Sequence, residues 1–312
     1  MTSHPTPFHA GEIAMQQVAG AYERLRDVGP RVIRDHMPQQ HREFFEQLPM
    51  LLVGSVDAQQ RPWASVLAGL PGFIDTPDER QLRVDALPHD GDPLLGQMVV
   101  GAPLGLLGIE PQTRRRNRMN GTVVAVDPRG FALRVDQSFG NCPQYIQART
   151  PRWVGEGSPG HGARPEGPQL SPAAAAWVAA ADTLFIASAA PGQGVDVSHR
   201  GGKPGFVRAE AGGAGTELTL PDFRGNFFFN TLGNIAASGR AGLLFIEHDT
   251  GDVLQLTGRA GVIANGPEVE AFAGAQRLLR IEVESGWWTQ NALPLRWSAP
   301  QLAPQLEATG HW

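Results

Sequence analysis

Cysteine is almost missing from this chain: Cys142 is the only one in 312 residues. That excludes an intramolecular disulfide and a thiolate zinc cluster, and it fits a reducing compartment. No apolar run is long enough to cross a membrane. The opening "MTSHPTPFHAGE" has no cationic stretch followed by an apolar one, so the cytoplasm is the expected location. Excess positive charge is lacking as well. At a net charge of -5, nucleic-acid binding would need a strong local basic patch. The nine histidines form no pair at metal-ligand spacing, so no metal is expected. There is no Gly-x-Ser-x-Gly elbow, Walker A pattern or dinucleotide fingerprint, which argues against those hydrolase and nucleotide-binding classes.

Turn-forming residues are abundant. With 38 Gly and 26 Pro the chain reads as strands and turns rather than as a helical bundle. Helical periodicity marks residues 1–47, where Ile13, Val18, Ala21, Leu25, Phe44 and Phe45 recur in threes and fours, and "AAAAWVAAA" (173–181) reads as a short Ala-rich helix. From 48 to 150 short apolar runs such as "LLVGSV", "LGLLGIE" and "GTVVAV" alternate with turn residues, as strands do. Residues 151–172 are rich in Pro and Gly and read as an exposed connection. Strand texture returns within 173–312.

The two strand-rich stretches match each other. "MLLVGSVDAQQRPWASVLAGLPGF" (50–73) lies on "TLFIASAAPGQGVDVSHRGGKPGF" (183–206), and "LGLLGIE" (104–110) on "AGLLFIE" (241–247). A repeat with its elements in order predicts two copies of one small barrel. The copies differ where cations lie. "VSHRGGK" (197–203) carries Ser198, His199, Arg200 and Lys203, where the first copy has the uncharged "WASVLAG" (63–69). "LPDFRGN" (220–226) carries Arg224, Gly225 and Asn226, where the first copy has "LPHDGD" (87–92) with Asp90 and Asp92. A phosphate carries close to two negative charges and seeks Arg, Lys and amide donors. One phosphate site, on the second copy, is therefore expected.

The loop "PDFRGNFFFNTLGNI" (221–235) before "RAGLLFIE" (240–247), the closing "SFGNCPQYIQAR" (138–149) and a six-stranded barrel preceded by helix resemble the FMN-binding split-barrel family related to pyridoxamine 5'-phosphate oxidase. The resemblance spans roughly 40–150 and 175–298. It implies a mainly β fold with flanking helices, two tandem FMN-binding split β-barrels, and FMN between them. Ser198, His199, Arg200, Lys203, Arg224, Gly225, Asn226, Asn230, Thr231 and Asn234 would hold the phosphate and ribityl chain, with Asn141 and Gln144 near the ring. The implied activity is a cytoplasmic FMN-dependent oxidoreductase acting on a small molecule, with no nucleic-acid or membrane partner and with room for a homodimer. The oxidase's Arg-x-x-x-x-Lys strand and Ser-Arg-Lys loop have no clean match, so vitamin B6 substrates are not implied, and no catalytic residue is assigned. The alternative is a flavin or haem binding or redox-sensing protein without turnover.

Three further readings stand on the residues alone. In "TRRRNRMNG" (113–121), Arg114, Arg116 and Arg118 would share one strand face, as a solvated edge or as ligands for an anion. Trp287 and Trp288 would cover a flat ring or pack in the core. Cys142 reads as a small hydrophobe.

Overall fold

The computed structural model describes residues 6–155 and 162–312. Three helices open the chain: α1 (Ala10–Val18), α2 (Tyr22–Val32) and α3 (Gln39–Glu46). The first barrel follows, with β1 (Met50–Val56), β2 (Pro62–Ala68), β3 (Ile74–Asp78), β4 (Gln81–Val84), β5 (Pro103–Glu110), β6 (Arg115–Asp127) and β7 (Gly130–Gly140). Short strands β8 (Pro151–Trp153) and β9 (Arg164–Glu166) and helix α4 (Pro172–Ala180) lead to the second barrel. Its strands are β10 (Thr183–Ala189), β11 (Val195–Gly201), β12 (Arg208–Ala211) and β13 (Thr216–Phe223). Helix α5 (Asn230–Ser238) precedes β14 (Arg240–Ile246) and β15 (Val253–Ile263), and α6 (Pro267–Ala271) precedes β16 (Ala275–Thr289) and β17 (Leu295–Trp297).

The two large sheets have the same strand order. The first runs β2-β1-β5-β6-β7-β4-β3 and the second β11-β10-β14-β15-β16-β13-β12. Replacing each strand of the first by its counterpart in sequence gives the second, so the repeat is a repeat of topology. In neither sheet do the two edge strands pair with each other, which leaves each barrel split. Each sheet has seven strands on this path, one more than expected. The expected free connection also contributes structure, because β8 pairs with β17 and β9 with β16. Positions 156–161 of that stretch lie outside the described residues.

Burial explains why so many strands read as unbroken apolar runs. In β1, Leu51 and Val53 point into the first barrel's core while Met50 and Leu52 join an apolar layer that also takes Phe185 and Ala187 of β10. In β14, Leu243 and Phe245 fill the second barrel while Leu244 and Ile246 enter the shared layer. A strand covered on both faces has no polar side to show. The layer between the barrels is a third core.

That interface obeys a local two-fold rule. A Cβ on Gly105 would stand 2.4 Å from the Val195 carbonyl oxygen, and one on Gly242 would stand 2.3 Å from that of Pro62. These residues are counterparts in the two copies, so the contact is made twice in reciprocal form, as in an isologous dimer. The ladder β6–β7 shifts register between Asn120 and Gly121, and β15–β16 between Thr257 and Gly258, again at matching places.

The N-terminal helices tie the barrels together. Phe8, Leu25 and Ile33 pack with Phe139 of β7 and with Phe228 before α5. Helix α1, opened by a capping box of His9 and Glu12, lies so close to α5 that a Cβ on Gly11 would meet the Gly233 carbonyl oxygen at 2.5 Å. This approach sets Glu12 against the first turn of α5. No described helix is long and apolar enough to cross a membrane.

Candidate functional site

A cleft of about 100 Å³ opens where the barrels meet beside α5. Four strands, β6, β11, β13 and β16, supply its charges. Arg116 and Arg118, two apart on β6, share a face by strand alternation. Ser198, His199 and Arg200 come from β11, and Asn230 and Thr231 from the first turn of α5. Asn141, Cys142, Asp222, Gly225, Asn226, Phe227, Phe229 and Arg277 complete most of the wall.

Arg118 is the centre of this arrangement. It is 3% exposed, and it donates to Asp196 Oδ1 at 3.1 Å, to Asn230 Oδ1 at 2.8 Å and to Ser198 Oγ. Thr231 donates to the same Ser198 oxygen at 2.9 Å. Across the cleft, Arg200 pairs with Asp222 at 2.6 Å and Arg277 pairs with the same carboxylate at 3.2 Å. Arg116 has no carboxylate partner among the described residues. It donates from Nε to the Cys142 carbonyl at 2.9 Å and from Nη1 to His199 Nδ1 at 3.0 Å. Four guanidinium groups thus line the cleft against one lining carboxylate. Burial is the first cause that lowers the proton affinity of Arg116 and of Arg118, a strain that an anion in the cleft relieves.

The contact from Arg116 fixes the state of His199. A guanidinium only donates, so Nδ1 must accept and the proton sits on Nε2. Burial first, then Arg116, Arg200 and Arg149, pushes the His199 pKa well below 6.5, and the ring stays neutral. Its Nε2 is buried without a partner among the described residues, as are Arg118 Nε, Arg200 Nε and Asn141 Nδ2. Each of these four is a donor, and an unmet buried donor costs about 1–3 kcal/mol. The first turn of α5, which has no side-chain cap, lines the same cleft and adds the positive end of a helix dipole. The mouth is held in strained backbone. Phe227 and Phe229 have φ of 66° and 61°, the left-handed region that bulky residues avoid.

Beneath the cleft lies a buried polar chain. Asn234 donates to Asp196 Oδ2 at 2.8 Å and to Ser188 Oγ at 3.2 Å. His9 reaches Asn234 Oδ1 at 2.9 Å, and Asn230 Nδ2 donates to Glu12 Oε1. Burial first, then Asp196, pushes Glu12 up to about 8.

Of the twelve residues expected from sequence, the structure brings eight into the lining: Asn141, Ser198, His199, Arg200, Gly225, Asn226, Asn230 and Thr231. The other four lie elsewhere. Arg224 is exposed and sits over the Phe227 ring at 5.8 Å. Lys203 donates to the Thr309 carbonyl at 2.6 Å, Asn234 belongs to the chain beneath, and Gln144 is off the wall. The basic run divides: Arg114 turns away to the Ile146 carbonyl at 3.0 Å, Arg115 stacks on Phe44 at 5.0 Å, and Arg116 and Arg118 enter the cleft. Trp288 packs against Trp177 at 5.0 Å, away from the cleft. Cys142 is half-buried on the wall rather than hidden in a core. Asp222 and Arg277 had no sequence signal, because only the β13–β16 pairing brings them together.

The matching place in the first barrel is filled by the chain itself. There Ser65 stands for Ser198 and Gln255 for Arg118. Ser65 Oγ donates to Asp92 at 2.6 Å, Gln255 Nε2 donates to it at 3.2 Å, and the Leu94 N–H at 2.8 Å. Asp92 is 3% exposed and its pKa is raised by burial. A carboxyl group occupies the position where the second barrel keeps its donors unmet.

No family model matches the sequence, and no curated protein matches it. Among solved structures, HupZ of Group A Streptococcus aligns with a TM-score of 0.29 at 13% identity, over 37% of this chain and 90% of its own. HutZ, the heme storage protein of Vibrio cholerae, aligns at 0.27 and 14%, over 39% and 95%. MrkH of K. pneumonia, solved with c-di-GMP, aligns at 0.22 and 11%, over 79% and 81%. At these values the likeness says nothing of ligand, and the description of the fold rests on its own strand order.

Proposed function

We propose that the cleft between the barrels binds the phosphate of a small molecule, with FMN as the first candidate, and that the chain is a flavin-binding protein with one site per chain. The observation that carries this reading is the set of four buried donors without acceptors among the described residues, on a wall of four guanidinium groups. The donor set fits a phosphate dianion, and the volume of the cleft fits that end of the nucleotide. About 100 Å³ is below the roughly 300 Å³ at which pockets for whole drug-sized ligands begin. FMN when bound would supply hydride chemistry; the chain supplies anion binding, orientation and exclusion of water. His199 is held neutral with Nδ1 engaged by Arg116, and Asp222 is held by Arg200 and Arg277, an arrangement that suits binding better than proton transfer. A flavin carrier or redox sensor is accordingly the better form of this proposal, and an oxidoreductase is the form that needs a second substrate beside the flavin.

The test is a fluorescence titration of the full chain with FMN and with riboflavin. FMN should saturate at one per chain, and riboflavin, which lacks the phosphate, should bind about 100-fold more weakly if two charge-assisted bonds are lost. Equal affinities for the two, or no binding of either, overturn the reading; a Soret band in the purified protein replaces flavin with haem. Arg224→Ala should leave FMN affinity unchanged, since Arg224 lies outside the lining.

Glu12 predicts a pH dependence. Between its ordinary 4.5 and about 8 the folded chain keeps a proton that the unfolded chain has lost, so stability falls as pH rises across that window and levels off above it. Ionised Glu12 also places a negative charge behind Asn230, while a phosphate is already dianionic above roughly pH 6. Affinity for FMN should therefore weaken from pH 7 to 9, and Glu12→Gln should flatten that profile. An unchanged profile in the variant assigns the pH effect elsewhere.

A further inference from the structure

We propose that Cys142 is a modification site that controls occupancy of the cleft, in which a peroxide or a soft electrophile converts the thiolate to a product that excludes the phosphate. This deepens the anion-site reading and rests on it. Three observations carry it. Cys142 is half-buried and lines the cleft with Arg116, His199 and Arg200, an electropositive, partly exposed surrounding of the kind in which reactive thiols occur. Arg116 grips the residue twice, from Nε to its carbonyl at 2.9 Å and from Nη2 to its Sγ at 3.6 Å. The same wall holds Arg118 and His199, 3% and 7% exposed, whose Nε and Nε2 donors have no acceptor among the described residues. The thiol and the unmet donors thus share one cleft, and a group added to sulfur beside Arg116 stands among the donors that a phosphate would take.

The chemistry closes on the named reactants. The thiolate attacks one peroxide oxygen; the S–O bond forms, the O–O bond breaks, and hydroxide leaves. Sulfur is oxidised to the sulfenic acid level and the peroxide is reduced. As the chain has no second cysteine, no internal disulfide follows. The sulfenate oxygen is itself an acceptor beside Arg116, so the oxidised chain supplies from within what the ligand supplies from outside. Two external thiols reverse the change: the first forms a mixed disulfide with loss of water, and the second releases Cys142 as the thiol together with a small-molecule disulfide.

The experiment uses the full chain with inorganic phosphate as ligand and N-ethylmaleimide and hydrogen peroxide as reagents. Intact mass should show one maleimide adduct. Phosphate at about ten times its dissociation constant should slow labelling about tenfold, because only the empty fraction reacts. Labelled or oxidised protein should lose phosphate binding by calorimetry, and excess thiol should restore it after peroxide but not after maleimide. Cys142→Ser should have the same phosphate affinity before and after peroxide. Labelling at an unchanged rate under phosphate that demonstrably binds, or phosphate binding that survives labelling, overturns the proposal alone. Failure of untreated protein to bind phosphate overturns the anion-site reading and the proposal with it.

Discussion

Replacing Arg116 with alanine should lower FMN affinity by about 10- to 150-fold while leaving the folded state intact. The range is that of one charge-assisted hydrogen bond, about 1.5–3 kcal/mol, converted to an equilibrium constant. Arg116 is the informative choice because its charge has no carboxylate partner among the described residues. Arg118 also lines the cleft, yet it pairs with Asp196 at side-chain exposures of 3% and 11%, and removing one member of a buried pair costs roughly 3–5 kcal/mol of stability. A loss of binding in Arg118→Ala would mix two causes. For Arg116→Ala the partners left behind are the Cys142 carbonyl and sulfur and the neutral His199 ring, none of them a charged group left without its pair. Arg116→Lys should recover part of the affinity, since a point charge returns without the planar fork. The measurement is a fluorescence titration run beside a thermal melt. Unchanged affinity at unchanged melting temperature would remove Arg116 from the site.

The two barrels were legible because each strand writes its environment into the chain twice. "LGLLGIE" and "AGLLFIE" align because both strands face a barrel core on one side and the shared layer on the other. The candidate site was legible in part, through the cations that one copy has and the other lacks. Ser198, His199 and Arg200 lie on one short strand, so their joint presence signals chemistry. Arg224 shares the local signal of "DFRGN", but its side chain leaves the wall for the Phe227 ring, and nothing local reports side-chain direction in a loop. Arg116 and Arg118 stood out as a basic run, yet their role depends on partners about eighty positions away, His199, Ser198 and Asp196. Asp90 and Asp92 both read as repellent acids. The structure separates them: Asp92 is buried against Ser65 and Gln255 as an internal carboxyl, whereas Asp90 is exposed.

Gly242→Ala should destabilise the chain by about 1–3 kcal/mol and weaken FMN binding with it, although Gly242 does not line the cleft. The added Cβ would lie 2.3 Å from the Pro62 carbonyl oxygen and 2.7 Å from its carbon, both backbone atoms that cannot rotate away. Overpacking of this kind forces the two strands apart. The barrels are joined by an apolar layer to which both contribute, and the cleft takes Arg116 and Arg118 from one barrel and Ser198, His199 and Arg200 from the other. Separation at β14 and β2 therefore reaches the site without touching it. Gly105→Ala repeats the experiment at the reciprocal contact, 2.4 Å from the Val195 carbonyl oxygen, and should behave alike. Gly261→Ala, in the outer part of β15 with nothing within 4 Å of the new carbon, is the control that should change neither quantity. Urea unfolding followed by fluorescence gives the stabilities, and a wedge at the interface should also broaden the transition or divide it in two as the barrels lose cooperation. If both wedge variants unfold at the wild-type midpoint with full FMN affinity, the barrels do not meet through these glycines, and a site composed from both of them loses its foundation.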